Sequence, residues 1–145
     1  MRNVVSIYCD GGSRGNPGPA ACAVVVIQKN IILYQEAKYL GKASNNFAEY
    51  QGVILGLEWV TSYGKKNQDS AFMFFLDSEL ITRQLNGFYK IKSENLKPLF
   101  LRVKKIQESL KGRIKFISVP RKNNKIADSL VNKELDKNLN RFTSA

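Results

Sequence analysis

Four carboxylates, Asp10, Glu49, Asp77 and Asp128, stand where strand-like and helix-like segments meet. The 145 residues hold only twelve Asp and Glu against twenty-three Lys and Arg, a formal charge of +11. If the four acids converge, they repel one another unless a cation neutralises them. There is no histidine, and Cys9 and Cys22 are the only cysteines. A histidine general base, a Ser-His-Asp or Cys-His nucleophile, histidine-ligated zinc and a four-thiolate zinc site are therefore excluded. Oxygen-only ligation suits a hard ion, Mg²⁺ or Mn²⁺. A negative, metal-holding centre ringed by basic surface matches phosphodiester cleavage by two ions. Singly, each acid is as well explained as a turn residue, an N-cap or a charge at the positive end of a helix; only together do they point to a site.

The elements that must position these acids are legible from periodicity. Asn3 to Cys9 is rich in Val, Ile and Tyr and runs into Asp10-Gly11-Gly12 and a loop with Gly15, Pro17, Gly18 and Pro19, a strand ending in a long turn. Ala21 to Gln28 and Ile31 to Lys38 are strands joined by Lys29-Asn30, a pair suited to a tight hairpin. From Asn46 to Tyr63 the apolar period becomes helical, with an N-cap within Ser44 to Asn46 and a stop at Gly64. Ser70 to Leu76 reads as a strand and Asp77-Ser78 as the cap of a short helix to Asn86-Gly87. A helix over Asn95 to Leu110, a strand over Arg113 to Val119 and a helix over Ile126 to Leu139 follow. The expected fold class is α/β: a five-stranded mixed sheet, its first three strands antiparallel, flanked by about four helices, in a single domain over 1–145. These readings put Asp10 and Asp77 at strand ends and Glu49 and Asp128 in first helical turns, where sites gather in such sheets.

Composition fits a folded, nucleic-acid-facing protein. With 43% hydrophobic and 24% charged residues the chain buries a core, and its basic excess favours an anionic partner, nucleic acid first. The apolar runs Ala20 to Ile27 and Ala71 to Leu76 fall short of the roughly 18 residues that mark a membrane span. The N-terminus shows no signal-peptide pattern. A cytoplasmic protein without membrane contact is expected, its cysteines small buried hydrophobes unless a hairpin pairs them.

The stretch Gly11-Gly12-Ser13-Arg14-Gly15-Asn16-Pro17-Gly18 is neither the dinucleotide fingerprint nor a Walker A loop, because the glycine spacing and the terminal Lys-Ser/Thr are both wrong. It follows the first acid directly, so its bare backbone and the side chains of Ser13, Arg14 and Asn16 face whatever the metals hold.

Four segments in order carry a resemblance. Tyr8-Cys9-Asp10-Gly11-Gly12-Ser13-Arg14-Gly15-Asn16-Pro17-Gly18, Asn45-Asn46-Phe47-Ala48-Glu49-Tyr50, Leu76-Asp77-Ser78-Glu79-Leu80, and Val119-Pro120-Arg121 through Ala127-Asp128 together resemble ribonuclease H type 1, in the short archaeal and bacterial form without a basic protrusion. The resemblance implies the ribonuclease H-like fold and hydrolysis of the RNA strand of an RNA/DNA hybrid, leaving 3′-hydroxyl and 5′-phosphate ends. It implies that Asp10, Glu49, Asp77 and Asp128 are the catalytic, metal-binding quartet for two Mg²⁺ ions, with Mn²⁺ an alternative. Asp10 bridges both ions, Asp128 shares the one that activates water, and Glu49 and Asp77 share the one at the leaving oxygen.

Substrate choice then rests on the 2′-hydroxyl, which amides and backbone groups read: Asn45, Asn46, Gly11, Gly12 and Ser78 are the candidates, with helix capping the other reading of the two asparagines. Arg14, Asn16, Lys90, Lys92, Arg121 and Lys122 are candidate phosphate contacts. Two departures from the family stand out. The histidine that many members carry before the last acid is missing, with Arg121 in the comparable loop, and a cationic Arg is no general base at neutral pH. In place of a basic handle there is only Phe88-Tyr89-Lys90-Ile91-Lys92, whose aromatics read equally as core or as stacking groups. Double-stranded RNA is a second candidate substrate, and a monomer is the default. The alternatives are a weak or inactive nucleic-acid-binding module of this fold, and another nuclease of this fold such as a resolvase or transposase core.

Overall fold

The computed structural model describes residues 3–139. In strand β1 (Asn3–Ser13), Val5, Ile7 and Cys9 are buried on one face, and the partner strand β2 (Gly18–Gln28) is apolar on both. A tight turn at Lys29 and Asn30, both with positive φ, leads to β3 (Ile31–Ala43). Helix α1 (Asn45–Lys66) is capped by Ser44, whose Oγ accepts the Phe47 N–H. β4 (Ser70–Leu76) alternates buried and half-buried residues, and α2 (Glu79–Leu85) follows, capped by Ser78. α3 (Lys97–Ser109), β5 (Ile114–Ser118), a 3₁₀ turn at Arg121–Asn123 and α4 (Lys125–Lys137) complete the order.

The sheet order is β3-β2-β1-β4-β5. β1 and β3 run antiparallel to β2, whereas β4 pairs parallel with β1 and β5 parallel with β4. This is the expected mixed sheet with four helices. Opposite faces of β2 show the layering: Cys22, Val24 and Val26 join the main core with residues of α1, α2 and α3, while Ala21 and Ala23 pack against Val131 and Leu135 of α4.

Three local readings need correction. β1 does not end at Asp10: its ladder with β2 continues through Gly11↔Cys22, Gly12↔Ala21 and Ser13↔Ala20, so the glycines are paired strand residues. The parallel ladder with β4 stops at Tyr8↔Phe75, so Asp10 lies past the end of that neighbour. α1 starts at Asn45, one residue earlier than the periodicity suggests, which moves Glu49 out of its first turn. It also runs past Gly64, because Asn67 is the cap, its N–H and Nδ2 both bonded to Tyr63 O, and Arg113 donates to Gly64 O. The cysteines are free and buried, in keeping with their reading as small hydrophobes. Cys9 stands opposite Val24 and Cys22 opposite Gly11, making the pair diagonal neighbours at roughly 7–8 Å, beyond disulfide reach.

Glycine is required where α1 lies directly on β1. A Cβ on Gly11 would come within 2.2 Å of the Ala48 carbonyl and 2.5 Å of Glu49 N, and one on Gly52 within 2.6 Å of Asp10 O. This backbone-on-backbone packing carries Glu49 to the acids of the sheet.

Candidate metal centre and nucleic-acid cleft

Asp10, Glu49 and Asp77 converge: each offers a carboxylate oxygen, and these oxygens lie within 4.8 Å of one another. β1 supplies Asp10 beyond the end of β4, and Asp77 follows Leu76 immediately. Ser78, not Asp77, caps α2 by accepting the Ile81 N–H, which leaves Asp77 for the group with Asp10 and Glu49. Asp128, in the first turn of α4, approaches from the other face of the sheet, outside that group of three but close enough for its charge to raise the Asp10 carboxyl.

The electrostatics are those of a cation site without its charge balance. Burial, then the charges of Asp77 and Asp128, push the Asp10 carboxyl from 3.8 up to about 8 against the opposing Gly11 N–H. Burial, then Asp10 and Asp77, hold Glu49 well above the usual carboxylate range, with Arg121 opposing. Asp77 is raised by burial, opposed by Arg121 and by the Asn124 amide. Glu49 Oε2 and Asp77 Oδ2 are buried with no hydrogen-bond partner among the described residues. Unpartnered buried carboxylate oxygens in a nitrogen- and sulfur-free donor set are what a hard divalent cation satisfies, so the residues fit such an ion.

A cleft of about 500 Å³ opens over this group, lined by Asp10, Gly11, Gly12, Ser13, Arg14, Asn45, Glu49, Arg121 and Asp128 together with Val131, Asn132 and Leu135. Asn45 does not cap α1. Its Oδ1 accepts the Ser13 N–H at 2.8 Å and its own N–H donates to Asn16 Oδ1 at 3.0 Å, which ties the β1–β2 turn to the start of α1. Asn46 is half-buried in the first turn and outside this lining. Asn16 lies in the adjoining hollow with Ser44, Phe47 and Asn95.

Other expected contacts lie elsewhere. Lys90 is in a separate groove with Tyr89, Lys97, Phe100 and Leu101, and Lys122 is in a hollow beside Tyr8 and Ile126. Lys92 is exposed. Phe88 and Tyr89 are 74% and 48% exposed, which excludes the core reading of both. Arg14 reaches the cleft wall with its guanidinium held by α4, 2.7 Å from Asp136 Oδ1.

Sequence reasoning missed Asn124. It is 1% exposed, does not cap α4, and donates from Nδ2 to Cys9 O at 2.8 Å, beside Asp77. An Asn before a helix reads as an N-cap, and nothing local in the sequence shows that it turns inward.

Comparison with known proteins finds relatives over most of the chain. A family model described as reverse transcriptase-like matches residues 8–134. A Mycobacterium tuberculosis protein described as bifunctional is 37% identical over 134 residues, 91% of this chain and 35% of its own length. The chain thus spans about a third of that relative's length. The ribonuclease HI of Halobacterium salinarum is 33% identical over 91% of this chain and 64% of its own. Among solved structures, LC11-RNase H1, isolated from compost by a metagenomic approach, superposes with a TM-score of 0.89 at 40% identity, covering 94% of this chain and 99% of that one. The same protein in complex with an RNA/DNA hybrid gives a TM-score of 0.88 at 40% identity, over 93% and 99% of the two chains.

Proposed function

Because this chain belongs to the type 1 ribonuclease H family and has its fold, we propose that it is an endonuclease that hydrolyses the RNA strand of RNA/DNA hybrids, leaving 3′-hydroxyl and 5′-phosphate ends. The observation that carries the reading is the meeting of Asp10, Glu49 and Asp77, two of them with unpartnered buried oxygens, in a cleft on a chain of charge +11. The relative solved with an RNA/DNA hybrid supports the substrate class. The active unit is the single ribonuclease H-like domain of residues 1–145, acting as a monomer in the cytoplasm. No described helix is long and apolar enough to cross a membrane.

In this reading Asp10, Glu49, Asp77 and Asp128 hold two Mg²⁺ ions, or Mn²⁺ in their place. Bound there, the ions supply a nucleophilic water and stabilise the leaving 3′ oxygen. The chain's own groups do the rest. Gly12, with room over its Cα, and Gly11 beside it in the cleft lining face the sugar edge, and Asn45 presents an Nδ2 amide without a partner among the described residues to a 2′-hydroxyl, which a DNA strand lacks. Asn46 and Ser78 flank that contact. Arg121, close enough to oppose the raised pKa values of Glu49 and Asp77, holds the scissile phosphate as a fixed cation and takes no proton. Asn16 and Lys90, with Lys92 and Lys122, take phosphates farther along the duplex, where the exposed Phe88 and Tyr89 offer faces for stacking.

One assay tests the proposal: labelled RNA/DNA hybrid, double-stranded RNA and double-stranded DNA are incubated with Mg²⁺ and the parent protein or Asp10→Asn. Hybrid RNA cut by the parent alone is expected. Hybrid that is bound and left uncut by the parent, or DNA that is cut, overturns it. Cleavage of double-stranded RNA beside the hybrid widens the substrate class without changing the chemistry.

A further inference from the structure

Helix α4 brings Asp128 to the acid cluster, yet little apolar packing fixes where it sits. Its seat on the sheet is Ala21 and Ala23 of β2 under Val131 and Leu135, with Ala37, Tyr39 and Leu130 half-buried around them, and the alanines of β2 offer few ridges to lock a helix along its axis. Polar tethers set its register instead. At the N-terminal end Asn124 Nδ2 donates to Cys9 O of β1 at 2.8 Å. Farther along, one side chain reaches over from the turn after β1: Arg14 Nη2 lies 2.7 Å from Asp136 Oδ1 and 3.4 Å from both Asn132 O and Asn132 Oδ1. Asn132 Nδ2 in turn donates to Asp128 O at 3.1 Å. Asp128, Asn132 and Asp136 follow one another at four-residue spacing, so they form one stripe of the helix, and Arg14 grips its far end. The root of Arg14 is fixed as well, its N–H donating to Pro19 O at 2.8 Å.

We propose that Arg14 is a positioning residue, which acts on the cleft through α4 by holding Asp128 in register against Asp10 and not by binding substrate phosphate. The inference deepens the reading of Asp128 as part of the metal site. Its effect belongs to that of outer contacts that orient ligands, whose loss typically lowers metal affinity or activity by about 10–100-fold.

The test compares Arg14→Gln, Asp136→Asn and the double variant. Three readouts are taken: Mg²⁺ affinity by titration calorimetry on the protein alone, kcat and KM on the hybrid, and the salt dependence of hybrid binding without divalent ion. If Arg14 acts through α4, each single change weakens Mg²⁺ binding about tenfold and lowers kcat alike, and the double variant is no worse than either single. Hybrid binding then keeps its salt slope in all three. The opposite pattern overturns the proposal: Arg14→Gln alone raises KM and reduces the salt slope by about one phosphate contact, with Mg²⁺ affinity unchanged, while Asp136→Asn frees Arg14 and tightens hybrid binding. Thermal melts confirm folding, which both exposed positions should tolerate. A parent protein that binds Mg²⁺ without cutting hybrid would sink the enzymatic reading, whereas the calorimetric comparison would still decide the role of Arg14.

Discussion

Replacing Asp10 by Asn should stabilise the metal-free protein, increasingly so as pH rises. A carboxyl whose pKa rises on folding contributes fully only below its ordinary value, and each pH unit above that removes about 1.36 kcal/mol until the folded value is passed. For Asp10, 5% exposed and shifted from 3.8 to about 8 by burial and by its acidic neighbours, the loss amounts to about 2 kcal/mol at pH 5 and about 6 kcal/mol at pH 8. The parent chain in EDTA should therefore lose about 4 kcal/mol between those two pH values from this group alone. Asp10→Asn lacks the titration and relieves Glu49 of one repelling charge, so its profile should be flatter by about that amount. Urea unfolding followed by far-UV circular dichroism at pH 5, 6, 7 and 8 measures it. With an m-value of about 2 kcal/mol/M the midpoints should diverge by about 2 M across the series. Adding Mg²⁺ should reverse the order by stabilising the parent alone. Two metal-free profiles running parallel within about 1 kcal/mol would refute the account of Asp10 as a buried acid held against its neighbours.

Two other substitutions address the supports of the site. Gly11→Ala drives a methyl into the Ala48 carbonyl and Glu49 N, backbone atoms that cannot step aside, so it should cost about 1–3 kcal/mol and weaken Mg²⁺ binding by displacing Glu49; unchanged calorimetric affinity would show that α1 does not set that carboxylate. Arg113→Ala strips donors from Ser70 O, Asn67 O and Gly64 O and removes a cation over the Phe72 ring, so urea unfolding should report a loss of about 2–3 kcal/mol with Mg²⁺ affinity retained.

The acids were legible because their chemistry is local: scarce carboxylates in a basic chain, each beside a break in periodicity. The five-stranded mixed sheet, its antiparallel start and the four helices were legible for the same reason. What escaped was whatever depends on a partner distant along the chain. Gly11 and Gly12 read as a loop, since nothing in β1 reveals that β2 pairs with them as far as Ser13↔Ala20. Gly64 read as a stop because the donors beyond it, Asn67 and Arg113, override a residue's preference. Asn45 read as a cap as readily as a reader of sugars, and the cap reading fails because its Oδ1 is committed to Ser13. Arg14 read as a phosphate contact, although its acceptors are on a helix 118 residues away in sequence.

The unequal division of apolar packing between the two faces of the sheet has its own consequence. Twenty-two buried residues knit α1, α2, α3 and the strands into one body, whereas the cluster beneath α4 has four. Segments with little buried apolar contact open at lower free energy than the whole molecule. α4, seated on the smaller cluster, can therefore lift from the sheet while the larger core stays intact, and Asp128 would leave the other acids with it. Ions shared between Asp128 and Asp10 would act as a fastener between the two layers, so that assembling the reactive centre and closing the last layer of the protein become one event.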